Sequence, residues 1–241
     1  MDYEKDYYMS DGQVSRGMSS AEATGRLVAS VYTKLTLSVI ALALIEFAVF
    51  ALVGAETVVA YFSANVALAS IVLISLCIVG PIVGNVVLSK NPSRGAQYGL
   101  LAFYILLESA ILLPILAIAA MFFGTTIIWQ AIGLAASLFI ALSAAVFFTR
   151  TDFSFLRTGL FFVGIAALML IVASLIFNFV LGTWFSVALI LFACGYILYG
   201  TSTMLLDADE SHDIILTISL FTSIVTLFFY ILRLLMALNR N

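Results

Sequence analysis

Residues 158–206 read TGLFFVGIAALMLIVASLIFNFVLGTWFSVALILFACGYILYGTSTMLL, without one charged side chain. A soluble helix of such length must show water a polar face, and this stretch has none to show. It reads as two helices surrounded largely by lipid, broken near Gly182. Further out the pattern holds: Glu108 is the only charged residue between Gly95 and Thr149. The chain of 241 residues is 64% hydrophobic and 10% charged, which leaves room for one membrane domain and little else. The expected class is therefore an all-α integral membrane protein, whose few intramembrane polar groups are the place to look for function.

Seven apolar segments of helical length can be marked: 28–53, 67–88, 97–123, 127–148, 159–181, 185–206 and 214–238. Each has about the 20 residues that cross a hydrocarbon core. Thr57–Phe62 is apolar as well, and a single helix from there through the second segment would be too long. A short interfacial piece is expected first. Residues 1–26 are polar and rich in Tyr, Ser and Gly, with no apolar stretch of signal-peptide type, and read as a disordered cytoplasmic tail ahead of a membrane domain at 27–241.

Basic residues orient the segments. Lys5, Arg16, Arg26 and Lys34 precede or open the first, Lys90 and Arg94 separate the second from the third, and Arg150 and Arg157 separate the fourth from the fifth. The alternate loops, around Glu56, Gly124 and Gly182, have no Lys or Arg. The positive-inside rule then places the N-terminus in the cytoplasm and, after seven spans, the C-terminus outside a cell membrane. Trp129 and Trp184 open segments on the outer side, as an aromatic belt requires. The loop Asp207–Asp213 should be cytoplasmic yet contains no basic residue, although acidic residues carry little topological weight.

Residue types exclude several chemistries. Lys5, Lys34 and Lys90 are the only lysines, so the last helix has none for a retinal Schiff base. One histidine, His212, cannot build a haem or zinc centre and is expected to be solvated. No Ser/His/Asp set, phosphate-cradling glycine loop or nucleic-acid motif is readable, and neither an enzyme nor a bound cofactor is expected. Cys77 and Cys194 stand apart in apolar runs and read as packing residues.

Glu108 lies near the middle of the third segment, where an unpaired carboxylate costs about 2.5–3.5 kcal/mol on insertion scales. Glu46 lies ~9 Å outward of the middle of the first. Lys34 lies as far inward and can snorkel to the interface. Arg233 has a lipid-interface or cavity role open to it. Ser219, Ser223 and Thr226 share a face of the last segment, and Tyr196, Tyr199 and Thr203 one of the sixth; packing explains both stripes as well as a polar path does. Gly80-Pro-Ile-Val-Gly84, followed by Asn85, places small residues four apart, a surface that another helix can approach closely.

Four stretches in order carry a family resemblance. Thr149-Arg-Thr-Asp-Phe-Ser-Phe-Leu156 is similar to the T-x-R-D-F-S segment between the fourth and fifth helices of the Bax inhibitor family, the transmembrane BAX-inhibitor-motif proteins. Leu107-Glu-Ser-Ala-Ile-Leu-Leu-Pro-Ile115 resembles that family's L-E-G-L-S-L-x-P-I. Gly195-Tyr-Ile-Leu-Tyr-Gly-Thr-Ser202 resembles G-Y-I-L-Y-D-T-S/Q, and residues 220–233 resemble L-Y-L-D-I-I-N-L-F-L-x-I-L-R. Val31-Tyr32 sits where the family opens its first helix with a V-Y pair. The resemblance covers everything after about residue 26 and is specific in its order rather than in any one motif.

The resemblance implies a seven-helix bundle with a central helix wrapped by the others. It also implies a pH-dependent calcium leak and protection against cell death, with some bacterial relatives associating with a membrane-bound protease. In that leak, aspartates of helices six and seven share a proton and gate the path. Here Gly200 and Ser223 occupy their positions, and neither titrates as a paired carboxyl does. Glu108 matches a family position; Arg150 and Asp152 belong to the cytoplasmic motif, where Asp152 precedes an apolar run and reads as a helix N-cap that serves folding, as Arg157 does. Two functions stay open. One is cation permeation, of calcium or protons, along a polar path past Glu108, with Glu46 at its outer mouth and Tyr199, Thr201 and Ser223 beside it. The other is a non-conducting regulator that binds another membrane protein, such as a protease. Any metal-binding residues cannot be assigned from sequence.

Overall fold

The computed structural model describes residues 3–65, 80, 83–84, 86–87, 92–177, 179–206 and 210–239, with backbone alone at 3–21, 175 and 210. Among the described residues the chain is helical with no strand. The long elements are α1 (Tyr3–Leu52), a short α2 (Ala55–Ala64), α3 (Arg94–Phe122), α4 (Thr125–Thr149), α5 (Leu156–Ile176), α6 (Thr183–Leu206) and α7 (Asp213–Leu238). Among the described residues six helical stretches are long and apolar enough to cross a membrane, that of α1 starting at Glu22. The protein is thus a multi-pass helical membrane protein. The expected second span, 67–88, falls mostly outside the described residues, as do Cys77, Pro81 and Asn85.

Helix ends follow local chemistry. Gly54 and Gly124 take φ of 82° and 81° in the tight turns before α2 and α4, a region that side chains with a Cβ avoid. Ser93 opens α3, its hydroxyl accepting from the Ala96 N–H at 3.4 Å. α2 is the short separate piece expected around Thr57–Phe62. α1 extends as helix across the segment read as a disordered tail, because a helix nucleated by its apolar half elongates at little cost.

α7 is the central helix. It packs against α1, α3, α4 and α6 and is the most buried of the six spans. Leu220, Phe221, Leu227 and Leu232 are fully enclosed, meeting Val31 of α1, Leu112 and Leu116 of α3, Phe139 of α4 and Ile197 of α6 in one core. α5 lies at the periphery against α6. There a Cβ on Gly195 would stand 2.8 Å from Leu160, so the small residue permits the close approach.

Opposite ends of the bundle carry different chemistry. At one end Lys34, Arg94 and Asp213 meet, and the Phe153 N–H of the α4–α5 loop donates to the Ser202 hydroxyl at 2.9 Å. At the other, Arg233 donates to the Leu181 carbonyl at 2.6 Å, closing the α5–α6 turn onto α7. Arg233 therefore has a backbone partner, rather than only lipid or a cavity. The turns at Gly54 and Gly124 and the exposed Trp129 and Trp184 belong to helix ends of this second kind.

Candidate functional site

The charged residues inside the apolar helices are sorted by the helices they face. Lys34, expected to snorkel, instead places Nζ 2.9 Å from Asp213 Oδ2 and also donates to Ser30; Ser30 Oγ donates to the same carboxylate at 3.0 Å. Arg94 pairs with the other oxygen, Oδ1. Asp213 thus ties α1, α3 and α7 together at their shared end. The loop that had no basic residue of its own finds two on neighbouring helices.

Deeper in the bundle the carboxyls have no such partners among the described residues. Glu46 is 6% exposed; the Ser109 hydroxyl of α3 donates to its Oε1 at 2.8 Å, and among the described residues its Oε2 meets no donor. Glu108, the neighbour of Ser109, is 7% exposed and turns toward α7. Facing it is the Thr222 hydroxyl, which does not close a hydrogen bond of ordinary geometry. Successive positions on a helix point about 100° apart. One turn of α3 therefore serves a carboxyl on α1 through Ser109 and offers its own to α7 through Glu108. Among the described residues neither carboxyl meets a basic side chain. Pro114 sits inside α3 and cannot donate to the Ala110 carbonyl, which lies on the exposed face of the helix, away from Glu108.

The other expected path residues do not join this pair. Thr201 is fully buried in a separate layer where its hydroxyl lies beside those of Tyr32 on α1 and Ser143 on α4, none closing an ordinary bond. Ser223 Oγ donates to the Ser219 carbonyl of its own helix at 2.7 Å, the packing alternative for that stripe. Tyr199 faces a groove at the α5–α6 surface. Gly200 is packed against α7, where a Cβ would come within 3.1 Å of Leu220.

The motif residues make local contacts. Asp152 is not the N-cap of α5, which starts after Phe155 without a side-chain cap. Its Oδ1 instead accepts the Ser154 N–H at 2.7 Å in the preceding turn, and this bond holds the exposed carboxyl below the ordinary aspartate range. Arg150 ends α4 in the left-handed conformation, φ 49°. Gly80 and Gly84 receive a side chain of α3: the Tyr104 hydroxyl donates to the Gly80 carbonyl at 3.0 Å and would stand 2.7 Å from a Cβ on Gly84. Ser109, Thr222 and Asp213 were not singled out from sequence. Adjacency to Glu108 marks Ser109, and an acid at the start of a span beside an intramembrane lysine marks Asp213.

The family described as "Inhibitor of apoptosis-promoting Bax1" matches residues 25–241, and the chain belongs to this Bax inhibitor family. An uncharacterized membrane protein of Vibrio cholerae serotype O1 is 34% identical over 129 residues, 51% of this chain and 55% of its own length. A protein of vaccinia virus strain Lister, described as a Golgi anti-apoptotic protein, is 30% identical over 131 residues, 52% of this chain and 54% of its own. The chain spans about half the length of the curated relatives it matches.

Proposed function

We propose that the protein conducts a cation, calcium or protons, across its membrane along the α1–α3–α7 seam, with Glu108 and Glu46 as the polar groups of the path. The observation that carries this reading is the pair of buried carboxyls that face hydroxyls and, among the described residues, meet no basic side chain. A structural role would be better served by a cation beside each, as at Asp213, because an uncompensated intramembrane carboxyl is costly to keep. The Thr222 hydroxyl facing Glu108 adds an oxygen of the kind a passing hard cation uses. No catalytic step enters this reading. Permeation would be the means by which this chain, like the viral relative named for it, acts on cell death. The distribution of basic residues supports an N-terminus in the cytoplasm and a C-terminus outside, in a cell membrane or, as the Golgi relative suggests, an internal one.

Calcium and proton flux into proteoliposomes tests the proposal. Wild-type protein should raise flux above empty vesicles, and Glu108→Gln should lower it about tenfold or more with the fold retained. A wild type indistinguishable from empty vesicles would end it. The second reading, a non-conducting regulator that binds a membrane protein such as a protease, is favoured by the α6–α7 contact, where Gly200 lies against Leu220 with no acid between them. It gains if flux is absent while a membrane partner co-purifies.

A further inference from the structure

A groove of about 570 Å³ opens on the outer surface between α5 and α6, lined by Arg157, Thr158, Phe161, Phe162, Tyr196 and Tyr199. Its position follows from the antiparallel register of the two helices. Phe153 bonds Ser202, and Leu160 lies against Gly195. Arg157 therefore stands level with about residue 199, near the end of the bundle, and the two phenylalanines lie a turn deeper. Phe161 is 59% and Phe162 63% exposed, so that floor faces hydrocarbon.

The mouth has the opposite character. Arg157 is exposed at the first turn of α5, and its backbone N–H is taken by the Ser154 carbonyl at 3.0 Å. No described carboxylate lies within ion-pair distance of its guanidinium. The hydroxyls of Thr158, Tyr196 and Tyr199 line the same groove, and among the described residues no carboxylate does. A fork of guanidinium donors matches phosphate geometry. Basic pockets between membrane helices on the basic side of a bundle take acidic headgroups.

We infer that this groove is a binding site for an anionic phospholipid, its headgroup phosphate on Arg157 and the neighbouring hydroxyls and an acyl chain along Phe161 and Phe162. The charge is complementary, and the apolar floor continuous with the bilayer selects a lipid over a soluble anion. The site is separate from the α1–α3–α7 seam and does not depend on conduction.

Native mass spectrometry of the full chain released from micelles containing equal phosphatidylglycerol and phosphatidylcholine reads the site directly. Wild type should retain one phosphatidylglycerol in preference to phosphatidylcholine by about tenfold, the factor that 1.4 kcal/mol supplies. Arg157→Gln should abolish the preference, whereas Arg150→Gln, outside the groove, should keep it. Should Arg157→Gln not be recovered folded, Tyr196→Phe/Tyr199→Phe, which leaves the charge, should lower it about threefold. A preference unchanged in either groove variant, or equal retention of the two lipids by wild type, overturns the inference. So does loss of the bound lipid to excess inorganic phosphate, which would make the site one for a soluble anion.

Discussion

Lys34 and Asp213, 179 positions apart in sequence, meet at 2.9 Å where α1 and α7 begin their common path through the bundle. The Asp213 side chain is 10% exposed and that of Lys34 17%. With Arg94 on the second oxygen, one carboxylate holds two cations from two helices around the central one. Asp213→Asn would take the carboxylate from Lys34, whose side chain is largely enclosed, while Arg94, 55% exposed, keeps its water. It should destabilise the fold by about 1.5–3 kcal/mol, the range for hydrogen bonds to a charged group. Lys34→Met should cost less, since Arg94 continues to pair. Thermal or denaturant unfolding in micelles checks the order, and equal losses would show that Arg94 does not hold Asp213 by itself.

The glycine pair at 80 and 84 makes a sterically coupled prediction. Gly84→Ala puts a methyl 2.7 Å from the Tyr104 hydroxyl, which is itself held on the Gly80 carbonyl and cannot swing away without losing that bond. The expected cost is about 1–3 kcal/mol. Tyr104→Phe removes the obstructing oxygen, so Gly84→Ala should cost less in that background than in wild type. A double-mutant cycle measures the coupling, and simple additivity would mean that the contact does not limit packing.

Most helices were legible because apolar length and charge placement mark a span without knowledge of its neighbours. The turns at Gly54 and Gly124 were legible as loops without basic residues, and the separate α2 as the remedy for an overlong segment. Partners were not legible. The Ser219, Ser223 and Thr226 stripe marks one face of residues 214–238, but one face cannot show that four helices pack around α7. For the same reason Lys34 read as a snorkelling residue and Arg233 as one with a lipid-interface or cavity role, although each has a partner on a distant element. At the candidate site both carboxyls were visible as isolated charges. Their hydroxyl partners, Ser109 and Thr222, looked like any other membrane hydroxyl until the helices were packed.

Asp152 gives a pH prediction with a definite sign. The Ser154 N–H holds its folded-state value below that of the unfolded chain. Its contribution is therefore present above the unfolded aspartate range, near pH ~4, and is lost as pH falls through the folded value. Asp152→Ala should lower the unfolding midpoint slightly at neutral pH and converge with wild type in acid. Any flux per folded molecule should stay unchanged, because the residue lies exposed in the α4–α5 loop. A large loss of flux with normal stability would instead put this loop on the path.

The last prediction concerns gating. A shared-proton aspartate pair would give flux a steep dependence near neutral pH, because two carboxyls in contact cannot both ionise cheaply. Here α6 and α7 present Gly200 and Ser223 instead, and the Ser223 hydroxyl is turned onto its own helix at Ser219. Flux measured in liposomes from about pH 5 to 8, where perturbed carboxyls show, should therefore vary gradually. Glu108→Gln should remove what dependence there is. Adding Gly200→Asp and Ser223→Asp together should create steep gating only if α6 and α7 can accommodate the new pair. The new Cβ at 200 would lie 3.1 Å from Leu220, so that side chain must yield by a few tenths of an ångström; Leu220→Ala in the same protein makes the room. Steep wild-type gating that survives Glu108→Gln would place the sensor elsewhere, with Glu46 the next residue to replace.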